Sequence, residues 1–200
     1  MKLTPDLTLT LPPLPCPLVL ASASPRRREL LGAMGQSFTV RCADVPEDLP
    51  NGIDPQEAVL TLARRKCAAV LPLSKGCAVI AADTVVALDG KILGKPKSEE
   101  DALAMLTALS GRTHEVFTGV AVGYGDSITV RADRTAVTFR PLSREEILAY
   151  IKTGEPMDKA GAYGIQGGAG HFAVAIDGAL DNVIGLPTRL LADMLMGELL

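Results

Sequence analysis

A turn with a helix-capping serine and a run of arginines is the first place in this chain where chemistry could happen. Residues 18–21 are apolar and lead into Ser22-Ala23-Ser24-Pro25-Arg26-Arg27, after which Arg28-Glu29-Leu30-Leu31 opens a helix. Ser24 is a preferred N-cap and Pro25 a preferred first helical residue, so the free backbone N–H groups of the turn point into the space before the helix. That helix end already carries partial positive charge, and arginine is the sign the macrodipole disfavours there. The placement makes sense if an anion arrives, because a phosphate chain would use the dipole, the N–H groups and the guanidinium forks together. A merely solvated basic first turn is the other reading, since exposed charges there cost only about 0.3–1 kcal/mol.

Two more charged residues stand in apolar surroundings. Asp54, Pro55 and Glu57 supply an N-cap, a first-turn proline and a capping-box acid for a helix expected to reach about residue 71. At 100° per residue Val59, Leu62, Ala63 and Val70 share one face, Lys66 falls in its middle, and Arg64 and Arg65 point away. A lysine so placed either snorkels to the edge or meets an anion. Residues 77–88 form a nearly continuous apolar run broken only by Asp83-Thr84, and Asp89-Gly90 then signals a hairpin returning through residues 91–93. An ionised Asp83 inside a buried strand needs a cation, a metal or several donors; a bulge tied to backbone N–H groups is the alternative.

The remaining elements position these groups. A strand over residues 18–22, a helix to about Met34 stopped by Gly35, and a second strand over 38–42 open the chain. Residues 43–51 form an acidic loop with Asp44, Glu47 and Asp48, either solvated or part of the site. A helix over 98–109, a β-hairpin over 113–139, a capping-box helix from Ser143 to Gly154, a strand over 172–176 and a closing helix from Pro187 follow. The glycine-rich stretch 154–168 permits close backbone approach to a ligand, or is simply flexible.

Bulk properties narrow the function classes. With 200 residues, 48% of them hydrophobic, the chain suits one domain with a substantial core, expected over residues 17–200 behind an irregular leader, residues 1–16. The leader does not read as a secretory signal, and no run of about 18 apolar residues suggests a membrane span. A net charge of −3 argues against coating nucleic acid, so any bound polyanion should be small. Cys16, Cys42, Cys67 and Cys77 form no CxxC pair and His114 and His171 are far apart in sequence, which disfavours a zinc cage and fits a reducing cytoplasm. There is no Walker A pattern, and the Gly-x-Gly spacings come late, so neither a P-loop nor a dinucleotide fold is supported. Together the residues suit an oligophosphate held by Arg26, Arg27 and Lys66, with Asp83 and Glu47 for a divalent cation.

At these residues the chain resembles the Maf family of nucleotide pyrophosphatases. The resemblance rests on Ser22-Ala-Ser-Pro-Arg-Arg with Glu29-Leu-Leu, Ala82-Asp-Thr-Val-Val, Lys95-Pro96, Leu109-Ser-Gly, and Gly154-Glu-Pro-Met-Asp-Lys-Ala-Gly-Ala-Tyr-Gly-Ile-Gln-Gly, in order between about residues 17 and 196. It implies a mixed α/β fold similar to the inosine triphosphate pyrophosphatases, with a central mixed sheet flanked by helices, two lobes around a nucleotide cleft and often a homodimer. It also implies hydrolysis of a nucleoside triphosphate to the monophosphate and pyrophosphate with Mg²⁺ or Mn²⁺, as a house-cleaning activity. Asp83 then matches the catalytic aspartate, Ser22, Arg27, Lys66 and Lys95 the phosphate contacts, and Glu47 with Asp83 the cation position. Thr84 and the Ala-Tyr-Gly-Ile-Gln segment look like the dTTP/UTP branch, with modified pyrimidine nucleotides as further substrates and Arg26, Thr84 and Gln166 at its specificity positions. One glutamine amide can donate to a pyrimidine carbonyl and accept from the adjacent ring N–H. The alternatives are the sister branch acting on 7-methyl-GTP and a regulator of septum formation that binds a nucleotide without hydrolysing it.

Overall fold

The structure is a computed structural model and describes residues 9–199. Its strands in chain order are β1 (Leu18–Leu20), β2 (Phe38–Val40), β3 (Ala78–Leu88), β4 (Lys91–Leu93), β5 (Thr113–Tyr124), β6 (Ser127–Phe139) and β7 (Ala173–Asp177). They form one mixed sheet in the spatial order β2-β1-β3-β5-β6-β7, with β4 paired to β3 as well. β1 is parallel to β2 and β3, and every other pairing is antiparallel. The Asp89-Gly90 turn closes β3 onto β4 with φ of 51° and 73°, the positive pair that a tight two-residue hairpin requires.

Helices cover both faces: α1 (Pro25–Ala33), α2 (Pro55–Val70), α3 (Glu99–Leu109), α4 (Arg144–Ile151), α5 (Leu180–Ile184) and α6 (Thr188–Leu199). Side chains alternate across a strand, so β3 serves two cores. Val79, Ala81, Val85 and Ala87 lie in the clusters built with α2, whereas Ile80, Ala82, Val86 and Leu88 join the larger cluster with α1, α3, α4 and α6. By the same alternation Asp83 faces α2 and Thr84 faces away from it.

Helix α2 comes very close to the sheet because β5 has no side chain at two points beneath it. A Cβ on Gly119 would stand 2.3 Å from the Val59 carbonyl oxygen, and one on Gly123 would stand 2.7 Å from Cys67 Sγ. The two glycines are four apart on one strand face and so form a continuous groove for the helix. Asp83 is the cross-strand partner of Gly119, which places α2 directly above it.

Element ends match the sequence expectation closely, with two differences. Helix α4 stops at Ile151, three residues before the glycine expected to end it, because Gly154 follows a short turn and precedes a 3-10 segment, Glu155–Asp158. Helix α5 was not foreseen, being only five residues long with no side-chain N-cap. The expected irregular leader, residues 1–16, lies partly outside the described residues; from residue 9 onward it forms no helix or strand. Leu11 in it is buried, its N–H donates to the Met34 carbonyl at 3.1 Å, and Gln36 Nε2 donates to the carbonyls of Leu11 and Pro12.

Candidate active site

Strand β3 is paired with β5 along most of its length, but its other edge is interrupted. β1 accompanies it only as far as Leu20 opposite Ile80, with a last bond from Ala21 N–H to the Ile80 carbonyl at 2.7 Å, and β4 resumes pairing at Val86 opposite Leu93. The chain leaving β1 must turn into α1, while β4 arrives antiparallel from the opposite end, so neither covers the middle of β3. Asp83 and Thr84 stand in that opening, and the arginine turn closes one side of it. A cleft of about 690 Å³ forms there, within the range of small-molecule sites. Ser22, Arg26, Arg27, Glu47, Lys66, Asp83, Thr84 and Lys95 all line it, whereas Gln166 is exposed and does not, although its neighbour Ile165 does.

Lys66 and Asp83 meet across the gap between α2 and the sheet. Lys66 Nζ lies 2.5 Å from Asp83 Oδ1 and 2.7 Å from Glu47 Oε1, so the lysine stem crosses an apolar helix face and its tip is caught by two carboxylates. Burial works against the charge on Lys66, but Asp83 and Glu47 outweigh it and its pKa is raised. The hydrogen bond from Lys66 holds the Glu47 carboxyl below its ordinary value, and the nearby charges of Lys95 and Arg27 add to the effect. The Asp83 side chain is 13% exposed and that of Glu47 61%, which makes Asp83 the inner carboxylate and Glu47 the one at the rim. Asp83 stays in register with Gly119, so β3 makes no bulge here, and Oδ2 has no hydrogen-bond partner among the described residues.

Arg27 ties three segments together. Its Nε donates to the Gly185 carbonyl at 2.8 Å, one terminal nitrogen to Ser22 Oγ at 3.3 Å, and the other to Thr84 Oγ1 at 3.0 Å. Burial pulls its pKa down, partly countered by Asp83, yet a guanidinium keeps its charge in proteins and these bonds leave N–H groups over for an anion. The helix start is capped as the sequence suggested, Ser24 Oγ accepting from Arg27 N–H at 3.4 Å. Arg28 points outward and is exposed, so the third arginine is solvated.

The opposite wall comes from the glycine-rich stretch, which is braced rather than loose. Tyr150 Oη donates to Glu155 Oε1 at 2.9 Å and accepts from Gly164 N–H at 3.0 Å, and Gly168 N–H donates to Glu155 Oε2 at 3.0 Å. A Cβ on Gly167 would fall 2.0 Å from Glu155 Oε1, so the backbone wraps the carboxylate closely and a side chain there would push it off its partners. Asp158, Lys159 and Tyr163 from this stretch line the cleft, and Lys159 Nζ is ion-paired with Asp158. The amino-acid sequence gives Asp158, Lys159 and Tyr163 no role of their own, although all three lie inside the motif Gly154–Gly167 that carries the family resemblance, and it gives none to Thr118 and Gly185 behind Arg27.

The carboxylates suit a hard divalent cation. Glu47 Oε1 and Asp83 Oδ1 converge on one ammonium nitrogen, so a cation with oxygen ligands could take both, completed by phosphate oxygens and water. Among the described residues no group of three or more His, Cys, Asp or Glu residues is gathered for a metal, so the phosphates of a ligand would have to complete the coordination.

The mixed sheet flanked by helices, and a cleft that sets Arg26, Arg27, Lys66 and Lys95 beside the inward-facing carboxylate of Asp83, define an α/β protein with a charged cleft at the open edge of β3. The chain belongs to the Maf-like protein family, whose model matches residues 17–198. It is 55% identical over 185 residues to the dTTP/UTP pyrophosphatase of Desulfitobacterium hafniense, covering 89% of this chain and 83% of that one. It is 48% identical over 180 residues to the dTTP/UTP pyrophosphatase of Pelotomaculum thermopropionicum, covering 89% and 94%, and 51% identical over 172 residues to that of Myxococcus xanthus, covering 85% and 86%. The structure of the Staphylococcus aureus Ham1 protein matches with a TM-score of 0.51 at 18% identity, covering 90% of this chain and 98% of that one, a likeness of fold. No helix among the described residues is long and apolar enough to cross a membrane.

Proposed function

We propose that this chain hydrolyses dTTP and UTP between the α and β phosphates, releasing the nucleoside monophosphate and pyrophosphate. The observation that carries this reading is that Lys66 on Asp83 and Arg27 on Thr84 converge where one edge of β3 is left open between β1 and β4. Relatives named for that activity, matched over most of both chains, support it. Ser22, Arg27, Lys66 and Lys95 hold the phosphates, and Asp83 Oδ2 accepts a proton from the attacking water. Lys66 is shared between two carboxylates, so an incoming triphosphate competes for an ammonium already poised at the rim of the cleft. Glu47 and Asp83 would hold Mg²⁺ or Mn²⁺, and such an ion when bound neutralises phosphate charge and aligns the anhydride. Arg26, Thr84 and Gln166 set the choice of base. The same reading, resting on the family resemblance, carries a cytoplasmic homodimer.

The test is pyrophosphate release by the purified protein from a panel of triphosphates with Mg²⁺ and with Mn²⁺. Preference for dTTP and UTP is the expected result. Preference for 7-methyl-GTP moves the chain to the sister activity, and nucleotide binding with no release makes it a binding regulator.

A further inference from the structure

Behind Thr84, on the face of the sheet away from Asp83, a row of hydroxyl groups has only one available hydrogen-bond direction. Thr118 lies directly opposite Thr84 on β5 and is fully buried. Its Oγ1 is 2.9 Å from Thr84 Oγ1 and donates to the Asn182 carbonyl at 2.9 Å. A carbonyl can only accept, so the single hydroxyl proton of Thr118 goes to Asn182. Thr118 therefore accepts from Thr84, and Thr84, its own proton committed, offers only lone pairs to the Arg27 guanidinium 3.0 Å away. The far end of the row is fixed: Asn182 Nδ2 donates to the Val116 carbonyl at 3.0 Å and to Thr135 Oγ1 at 2.9 Å. Arg27 Nε is bonded to Gly185, the residue that ends α5, so both ends of the row close on one short helix.

We propose that Thr118 is a positioning residue for Arg27: it holds the Thr84 hydroxyl as an acceptor turned toward the guanidinium, and thereby sets from α5 how Arg27 enters the cleft. Thr84 then has no proton to give a substrate carbonyl, and its influence on substrate passes through Arg27 or through its remaining lone pair. The activity readout of this inference rests on the cleft binding a triphosphate; its geometry does not.

Thr118→Val keeps the shape and removes the hydroxyl, and Thr118→Ser restores it. In the variant valine protein KM for dTTP rises about tenfold, the loss of roughly one oriented hydrogen bond, while kcat changes far less, and the serine variant recovers the wild-type KM. In the ligand-free protein the Arg27 Nε–H resonance, protected by Gly185, exchanges with solvent about tenfold faster in Thr118→Val and recovers in Thr118→Ser. Unchanged Nε–H exchange in a folded Thr118→Val protein overturns the proposal. If that variant does not fold, Thr118→Ala removes the same hydroxyl with a smaller side chain and is judged by the same resonance. A wild-type protein that releases no pyrophosphate would refute the proposed activity, while the exchange measurement still decides the role of Thr118.

Discussion

Gly119 lies so close beneath Val59 that a methyl group added to it would stand 2.3 Å from the Val59 carbonyl oxygen. The glycine is the cross-strand partner of Asp83, and Val59 begins the stripe of α2 that carries Lys66 seven residues later. The contact therefore sets the height of α2 over β3, and with it the 2.5 Å ion pair between Lys66 and Asp83. A residue with no side chain of its own thus decides whether the two charges meet.

Gly119→Ala is expected to lower stability by about 1–3 kcal/mol, because the added methyl meets backbone of the helix and not the flexible end of a side chain. Since α2 must lift, pyrophosphate release should fall with it even where the variant stays folded. Chemical denaturation gives the first quantity and the assay the second. An alanine variant with wild-type stability and turnover would show that the helix seats elsewhere.

Asp83→Asn keeps the size of the side chain and its place opposite Gly119 but loses the basic oxygen. Turnover should drop by about 10²–10⁴, the usual contribution of a positioned general base, while nucleotide still binds through Arg27 and Lys95. Steady-state kinetics together with a binding titration separate the two effects. Wild-type turnover in this variant would remove Asp83 from its assigned place in the reaction.

Both halves of that ion pair were visible in the amino-acid sequence as misfits: a lysine in an apolar helical stripe and an aspartate in an apolar strand. Each feature is local, so periodicity alone exposes it. That they bond to each other is not local. It depends on a gap between β1 and β4, on the two glycines of β5 and on the height of α2, none of which leaves a periodic trace. The buried row from Arg27 through Thr84 and Thr118 to Asn182 was hidden for a similar reason, since threonine in a strand reads as ordinary β-propensity until its partner strand and α5 are in place. The glycine-rich stretch left close backbone approach to a ligand and mere flexibility equally open, and the carboxylate of Glu155, thirteen residues before Gly168, braces it against the second.

His114 gives the fold a pH dependence with a definite sign. Its side chain is fully buried between Phe139 and Tyr163, Nε2 is bonded to Tyr163 Oη at 2.8 Å, and Nδ1 has no partner among the described residues. Burial pushes its pKa down from 6.5 to about 4. Between those values the unfolded chain binds a proton that the folded one refuses, so stability declines as pH falls through that window and levels off below it. The loss amounts to about 3 kcal/mol. His114→Phe removes the titration, at the cost of the bond to Tyr163 at neutral pH. Unfolding free energies of both proteins at pH 7 and pH 4 should therefore converge toward the acid end, and parallel curves would show that His114 titrates freely.

Gln166 is exposed, yet it sits between two anchored residues: Gly164 is tied to Tyr150 Oη and Gly168 to Glu155 Oε2. Ile165, its neighbour, lines the cleft, so the proposed role in base choice requires the Gln166 amide to turn inward when nucleotide binds. Gln166→Glu exchanges a group that can both donate and accept for one that only accepts, and it should change the ratio of kcat/KM between dTTP and other triphosphates by about tenfold while the best substrate is slowed less. Glu155→Gln releases the anchor at one oxygen and should blunt the same discrimination through a looser loop. Competition assays with paired triphosphates read both. An equal loss for every base in Gln166→Glu would place this side chain away from the base edge, and unchanged discrimination in Glu155→Gln would show that a single acceptor oxygen at residue 155 is enough to hold the loop.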